Sequence, residues 1–549
     1  MTFIAAGLVS GIAAVLFHEW VVLSRALMLD RALRTTGALR VALLIAIPAV
    51  TAAILGFIVQ RFAPTTLGAN LARVRRAYAE DVHHLDARTI AATFVLTPLS
   101  LGSGAPMGPE GPIVVVTSGL AVWIGKVLKF PRKLQRGLVP VGTAAGIAAI
   151  FRTPITGVVF ALEELFGTSS RSILGGTLVA AVAAAVVQHG LGGSERILPA
   201  AAATWARVSD LAGFAVVGIC AGVVSGSVLR VAAYWRGRFR THVVSLPLRY
   251  AIGGAAVGML GVFVPSMLGV GYETTSLLLR GGGSLLFDAQ AFGAKTLGFV
   301  IAASSGLLGG TFAPSLFIGA SLGALIGDAE RALFHVPVDS GAFALVGMGA
   351  YFAGTLRAPI AAVLIVIELT NDYGLVVPLM LAVFLSHSIS HALARHTLEE
   401  DQLAREGVHE ARHAGDPLAQ LLVRDVMATG ITSFSPEATI SEVVERTRRH
   451  HHHFYPIADR SRLVGWISGE EVARCVREHR LELTAAEVME PAALVAREDE
   501  PVRALFARMA AAEAHRCPVV DAEGALVGFV SPSDLVRARL RAQEEETLR

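Results

Sequence analysis

Charge is scarce in this chain. Asp, Glu, Lys and Arg make up 17% of its 549 residues, against about 25% in soluble domains. That scarcity, with a mean hydropathy of +0.58, excludes an ordinary soluble globular protein. Cysteine is nearly absent as well. Cys220 lies in an apolar segment and Cys475 and Cys517 in a polar tail, which excludes a disulfide framework. The opening "MTFIAAGLVSGIAAVLFHEWVVL" lacks a basic n-region, so it predicts a first membrane span rather than a cleaved leader. The Gly-containing stretches "GGSE" and "GSG" lack a following Lys-Ser/Thr. That excludes a phosphate loop of the ATPase type. With no hydrolase or transferase constellation, the chain is not read as an enzyme, and no cofactor is required.

What the chain does have is long apolar runs. Hydrophobic residues make up 53%, and runs such as "ALRVALLIAIPAVTAAILGFIV" approach or exceed the roughly 20 residues that span a bilayer as helix. These runs fill residues 1–395. From about 398 onward charged and apolar residues alternate, as in a soluble domain. The net charge of +3 says little, but basic clusters at Arg73, Arg75 and Arg76, at Lys126 to Arg136 and at Arg236 to Arg249 favour the cytoplasmic side.

The apolar part repeats itself. "SGAPMGPEGP" from Ser103 aligns with "SGLLGGTFAP" from Ser305. "GTAAGIAAIFRTPITGVVFALEEL" from Gly142 aligns with "GMGAYFAGTLRAPIAAVLIVIELT" from Gly347. The second pair shares Arg152/Arg357, Pro154/Pro359 and Glu163/Glu368, and low-complexity similarity does not place charges. Two related halves follow, about 1–195 and 205–395. In transporters such halves are commonly inverted, with broken helices that meet near the midplane and aim their N-termini at an anion. Irregular backbone at membrane depth is tolerated only where it lines a cavity or is buried in protein. "GPEGP" and "GGTFAP" therefore read as two helix starts facing one anion site, each offering unpaired N–H groups and about half a positive charge. Glu110, the carboxylate in the first, competes with a small anion for the same donors. Its protonation removes the competitor.

Taken together and in order, "GPEGP", "GGTFAPSLFIGA", "VGYE" (Val270 to Glu273) and the two Arg-x-Pro-Ile segments resemble the CLC chloride channels and proton-coupled chloride antiporters over essentially the whole chain. The resemblance implies an all-α polytopic membrane protein of two inverted-topology repeats over residues 1–397, a cell-membrane location, and a homodimer with one anion pathway per subunit. It implies chloride or another small anion, with protons, as cargo. It makes Glu110 the external gating glutamate and Glu164 the internal proton glutamate of the antiporters. Gly108, Glu110, Gly111, Gly310, Thr311 and Phe312 become the anion site. Glu163, the repeat partner of Glu368, reads as structural.

Three departures stand out. The family's serine motif, G-S-G-I-P, is matched only by "GANLARVRRAY" from Gly68, with Ala69 at the serine. The anion-coordinating tyrosine is matched by Glu399, and no residue from Thr397 to Gly407 is Tyr. Pro109 replaces a basic residue. The loss of both hydroxyls, each hydrogen bond worth about 0.5–1.5 kcal/mol, predicts altered selectivity and looser coupling. A passive anion channel and a fluoride carrier are the alternatives within the family. A nonconducting membrane receptor whose tail senses nucleotide is the alternative outside it.

The tail, after a linker expected at 398–418, holds a second repeat at 419–476 and 484–540. Each copy runs V-M, polar segment, amphipathic helix, apolar strand, G-x-x-S, and the pair resembles tandem CBS domains, an α/β module placed in the cytoplasm. Such pairs often bind adenine nucleotides. The ribose pattern Ser/Thr-x-x-Asp is met by Ser531 and Asp534, whereas the first copy has Glu471 in place of the Asp. The run His450 to His453 falls where a turn is needed, and reads as a solvated turn with a modest pH response rather than a metal site.

Overall fold

The computed structural model describes residues 1–63, 71–166, 171–192, 198, 210–335, 338–370, 373–406, 421–429, 431–447, 454–491, 494–512, 514, 516–534 and 537. The chain divides into two compact units, Met1–Arg412 and His413–Arg549.

In the first unit the described elements are helical. The first half holds α1 (Thr2–Leu27), α2 (Leu29–Arg34), α3 (Gly37–Phe62), α4 (Leu71–Ala79), α5 (Ala87–Gly102), α6 (Glu110–Val127), α7 (Arg132–Phe151), α8 (Pro154–Ala161) and α9 (Arg171–Leu191). The second holds α10 (Asp210–His242), α11 (Leu246–Phe263), α12 (Tyr272–Leu279), α13 (Leu285–Ser305), α14 (Phe312–Phe334), α15 (Ser340–Leu356), α16 (Pro359–Thr370), α17 (Val376–Leu393) and α18 (Leu398–Arg405). Among the described residues ten helical segments are long and apolar enough to cross a membrane. The apolar side chains that face outward, such as Val186, Phe263 and Phe384, are what lipid solvates in place of water.

The two halves meet through reciprocal contacts. α7 and α15 each end on an arginine in the left-handed region, Arg152 at φ 60° and Arg357 at φ 58°. That turn releases the chain into Pro154 and Pro359, which open α8 and α16, where proline is pre-set for a first helical turn. The free N–H groups of each start are capped by the other half. Glu368 accepts from Ile155 N at 3.0 Å and Thr156 N at 2.6 Å, while Glu163 accepts from Ile360 N at 2.9 Å and Ala361 N at 2.7 Å. Equivalent residues thus exchange equivalent bonds, which is the signature of a local two-fold relation. Close helix crossings recur at matched positions. A Cβ on Gly142 would strike Ser118 of α6, and one on Gly347 would strike the Gly319 carbonyl of α14.

The segment expected as a linker from residue 398 instead begins as α18. Thr397 closes a capping box with Glu400, and Leu398, Glu399 and Leu403 are buried. The physical reason is the pattern T-x-x-E followed by Leu403, a helix start with an apolar face. That face packs against α4 and α10.

The second unit holds two small sheets. β1 (Phe454–Asp459) pairs antiparallel with β2 (Arg462–Ser468); β3 (Ala496–Arg497) runs parallel to β4 (Cys517–Val520), which pairs antiparallel with β5 (Leu526–Val530). Their cores are interlocked. Ala485, at the head of the second repeat, packs with Ile457 and Ile467, and Val423, at the head of the first, packs with Cys517 and Val519.

Candidate functional site

The two Gly/Pro loops of the repeat meet at the heart of the membrane unit. Gly108 N donates to Gly310 O at 2.8 Å and Gly310 N to Gly108 O at 2.6 Å. This single antiparallel bridge ties the start of α6 to the start of α14. Both glycines are required by space. A Cβ on Gly108 would overlap the Glu110 carboxylate, and one on Gly310 would come within 2.8 Å of Gly111 N. The α14 start is held in place by aromatic packing. Phe312 lies 5.7, 4.9 and 4.7 Å, centroid to centroid, from Phe151, Phe160 and Phe352.

Glu110 is fully buried. Its Oε1 accepts from the Tyr272 hydroxyl at 2.5 Å and its Oε2 from Ala313 N at 3.3 Å. The carboxylate of one half therefore sits on the first-turn N–H of the other half's helix, in the position a bound anion would take. Lys295, fully buried on α13, stands within electrostatic reach of Glu110. Its Nζ donates to Met267 O, Gly269 O and Val270 O at 3.1, 2.6 and 3.1 Å, and lies 4.8 Å from the Phe317 ring centre.

On the other side of the α14 start, Thr311 Oγ1 donates to Glu399 Oε1 at 2.9 Å. Glu399 is 3% exposed. Beside Thr311 lies a cavity of ≈ 160 Å³ lined by Arg236, Arg240, Arg249 and Arg405, with Gly309, Thr311 and Leu398 in its wall.

The structure thus gathers Gly108, Glu110, Gly111, Gly310, Thr311, Phe312 and Glu399 into one site. Glu164 stands apart from it. On the π-helical turn Leu162–Phe166, its carboxylate is ion-paired with Arg75 of α4, both side chains buried. Arg75 also lies 3.7 Å from Glu400, which pairs with Arg357 at 3.2 Å. Ala69 and His450 to His453 lie outside the described residues. In the second unit Asp534 Oδ2 accepts from Ser531 N at 2.9 Å and Ser531 Oγ at 2.6 Å, and Arg537 reaches its Oδ1 at 2.9 Å. The first repeat's counterpart, Glu471, accepts from Arg474 at 2.5 Å.

Sequence reasoning left Tyr272, Lys295 and Arg75 without roles at this site. Tyr272 sits inside the quoted "VGYE". Lys295 is a lone cation in an apolar run, and an intramembrane charge is a functional-site signal by default. Arg75 was read only as part of a basic loop.

A family model described as voltage gated chloride channel matches residues 51–391, and the CBS domain model matches residues 423–478 and 485–541. A ClcB-like protein of Ralstonia nicotianae is 33% identical over 314 residues, 56% of this chain and 72% of its own length. The voltage-gated ClC-type chloride channel ClcB of Escherichia coli is 30% identical over 329 residues, 60% of this chain and 76% of its own. Among solved structures, a slow cyanobacterial Cl−/H+ antiporter superposes with a TM-score of 0.68 at 23% identity, over 74% of this chain and 98% of that one. A eukaryotic CLC transporter gives 0.68 at 18% identity over 97% of both chains. A CLC-type fluoride/proton antiporter gives 0.63 at 23%, over 72% and 96%. These three show the fold.

Proposed function

The chain belongs to the voltage-gated chloride channel (CLC) family and carries tandem CBS domains, and from that premise we propose that it moves chloride across the cell membrane under the control of protonation at Glu110. The observation that carries the reading is the Glu110 carboxylate on Ala313 N, inside a cage built from both repeats. An ionised carboxylate occupies the donors that an anion needs. Protonation leaves a neutral acid that holds them less strongly, and an anion can displace it. The backbone N–H of Ala313, freed by Glu110, receives the anion together with those of Gly111, Thr311 and Phe312, with Gly108 and Gly310 as the residues whose lack of a side chain leaves room for it. Each subunit of a homodimer carries one such pathway.

Glu164 was expected as the internal proton glutamate. Its buried bond to Arg75 favours a second reading, in which protons gate the anion without being carried in fixed ratio. A proton passing through Glu164 would have to break an ion pair in low dielectric. The CBS pair lies in the cytoplasm and regulates transport, with an adenine nucleotide as ligand whose ribose meets Ser531 and Asp534. The test is a flux assay in proteoliposomes comparing chloride, fluoride and nitrate while recording internal pH, with and without ATP. Chloride flux that rises as pH falls supports the reading. Fluoride flux well above chloride replaces the cargo, and no anion flux under any gradient overturns it in favour of a nonconducting receptor.

A further inference from the structure

Where the family resemblance places a tyrosine hydroxyl, this chain puts a carboxylate, and α18 carries it to the α14 start. Glu110 and Glu399 approach that start by different donors: Glu110 takes Ala313 N, and Glu399 takes the hydroxyl of Thr311, two residues earlier. Glu399 is 3% exposed, and no salt bridge to it is found among the described residues. A buried carboxylate without a salt-bridge partner is costly unless its surroundings favour the charge. Arg75 of α4 and Arg236 of α10 are within electrostatic reach of Glu399. Glu400 and Asp401 follow it on α18, held by Arg357 and Arg405 respectively. The cavity, lined by four arginines and by Glu406, opens at Thr311 itself. Glu399 holds the hydroxyl of Thr311, the residue of the α14 start that the cavity wall contains.

We infer that Glu399 is a second tethered carboxylate of the anion pathway, a gate on the cavity side that must be protonated, or displaced from Thr311, before an anion passes between the cavity and the α14 start. This rests on the anion-transport reading above. It replaces a neutral hydroxyl donor by an acceptor that competes with the cargo, so the consequence is pH dependence from the cavity side. Arg75 and Arg236, both within electrostatic reach of Glu399, compensate the anion when it takes the carboxylate's place.

The test is chloride flux from proteoliposomes of the full-length protein, with pH varied separately on the two sides, for wild type, Glu110→Gln, Glu399→Gln and Thr311→Val. Glu399→Gln keeps the shape and removes the charge. It is expected to raise flux at neutral pH about tenfold, the scale of one hydrogen bond to a charged group. It is also expected to abolish the dependence on cavity-side pH while leaving the Glu110-dependent response on the opposite side. Thr311→Val removes the donor and should weaken the same dependence. If wild type conducts and responds to Glu110→Gln, while Glu399→Gln and Thr311→Val keep the wild-type dependence on cavity-side pH, this inference is overturned and the transport reading stands. If no protein conducts, the transport reading itself fails.

Discussion

Arg75 and Glu164 offer a perturbation whose size follows from burial. Their side chains are 1% and 2% exposed, so water cannot solvate either charge left alone. Arg75→Met or Glu164→Gln alone therefore strands an ion, or a dipole facing one, at an expected cost of about 3–5 kcal/mol. At 1.4 kcal/mol per decade, that is roughly a hundredfold to several thousandfold in the folding equilibrium. The double variant strands neither member of the pair, while Glu400 keeps its 3.2 Å bond to Arg357 and Glu399 keeps Arg236 within reach. That variant should lie closer to wild type than the sum of the singles, with a coupling energy at or above about 2 kcal/mol. Salt should leave the coupling unchanged, because a buried pair is screened far less than a surface one. The assay is equilibrium unfolding of the four proteins in detergent, followed by helical circular dichroism at low and high ionic strength. Single variants within about 1 kcal/mol of wild type, or strict additivity, would show that the pair is hydrated and would remove the argument against Glu164 as a proton carrier.

Three further outcomes are expected. Tyr272→Phe removes the 2.5 Å hydroxyl donor to Glu110. It should raise chloride flux at neutral pH severalfold, as a loss of about 1 kcal/mol or more from the closed state implies; unchanged flux would mean that Tyr272 does not hold the carboxylate. Glu163→Gln and Glu368→Gln each weaken the cap on the opposite half's helix. Each should cost about 1–2 kcal/mol by the same unfolding assay, and the two should match because the contacts are reciprocal. In the second unit burial pushes the Cys517 thiol up to about 12. The sign follows: a raised thiol stays protonated through the neutral range, so maleimide at pH 8 should leave Cys517 unlabelled in native protein and label it after denaturation.

The repeat was legible because two features cannot arise from composition: a shared Arg-x-Pro-Ile and a shared Glu at one offset. Arg152 and Arg357 at positive φ, and Glu163 and Glu368 on each other's helix starts, show why those residues recur. Gly and Pro at matched places in the repeat, in a stretch at membrane depth, were enough to place "GPEGP" and "GGTFAP" at helix starts. What could not be read was partnership across long separations. Glu164 looked like a free acid because Arg75 lies 89 positions away in sequence and in another helix. Glu399 looked like a lost hydroxyl, because alignment marks what is missing and not what a replacement touches. α18 was taken for linker because its eight residues are more polar than the helices before it, and its burial depends on a groove formed by α4 and α10.

The central claim is that one carboxylate, Glu110, blocks the anion until it is protonated. The most direct measurement is unidirectional chloride flux in proteoliposomes as a function of pH for wild type and Glu110→Gln, with proton movement recorded in parallel. Wild-type flux should rise as pH falls on the side opposite the cavity, and Glu110→Gln should hold a high flux across that range with proton movement abolished. A Glu110→Gln protein whose chloride flux keeps the wild-type pH profile, or whose proton movement is unchanged, would contradict the account.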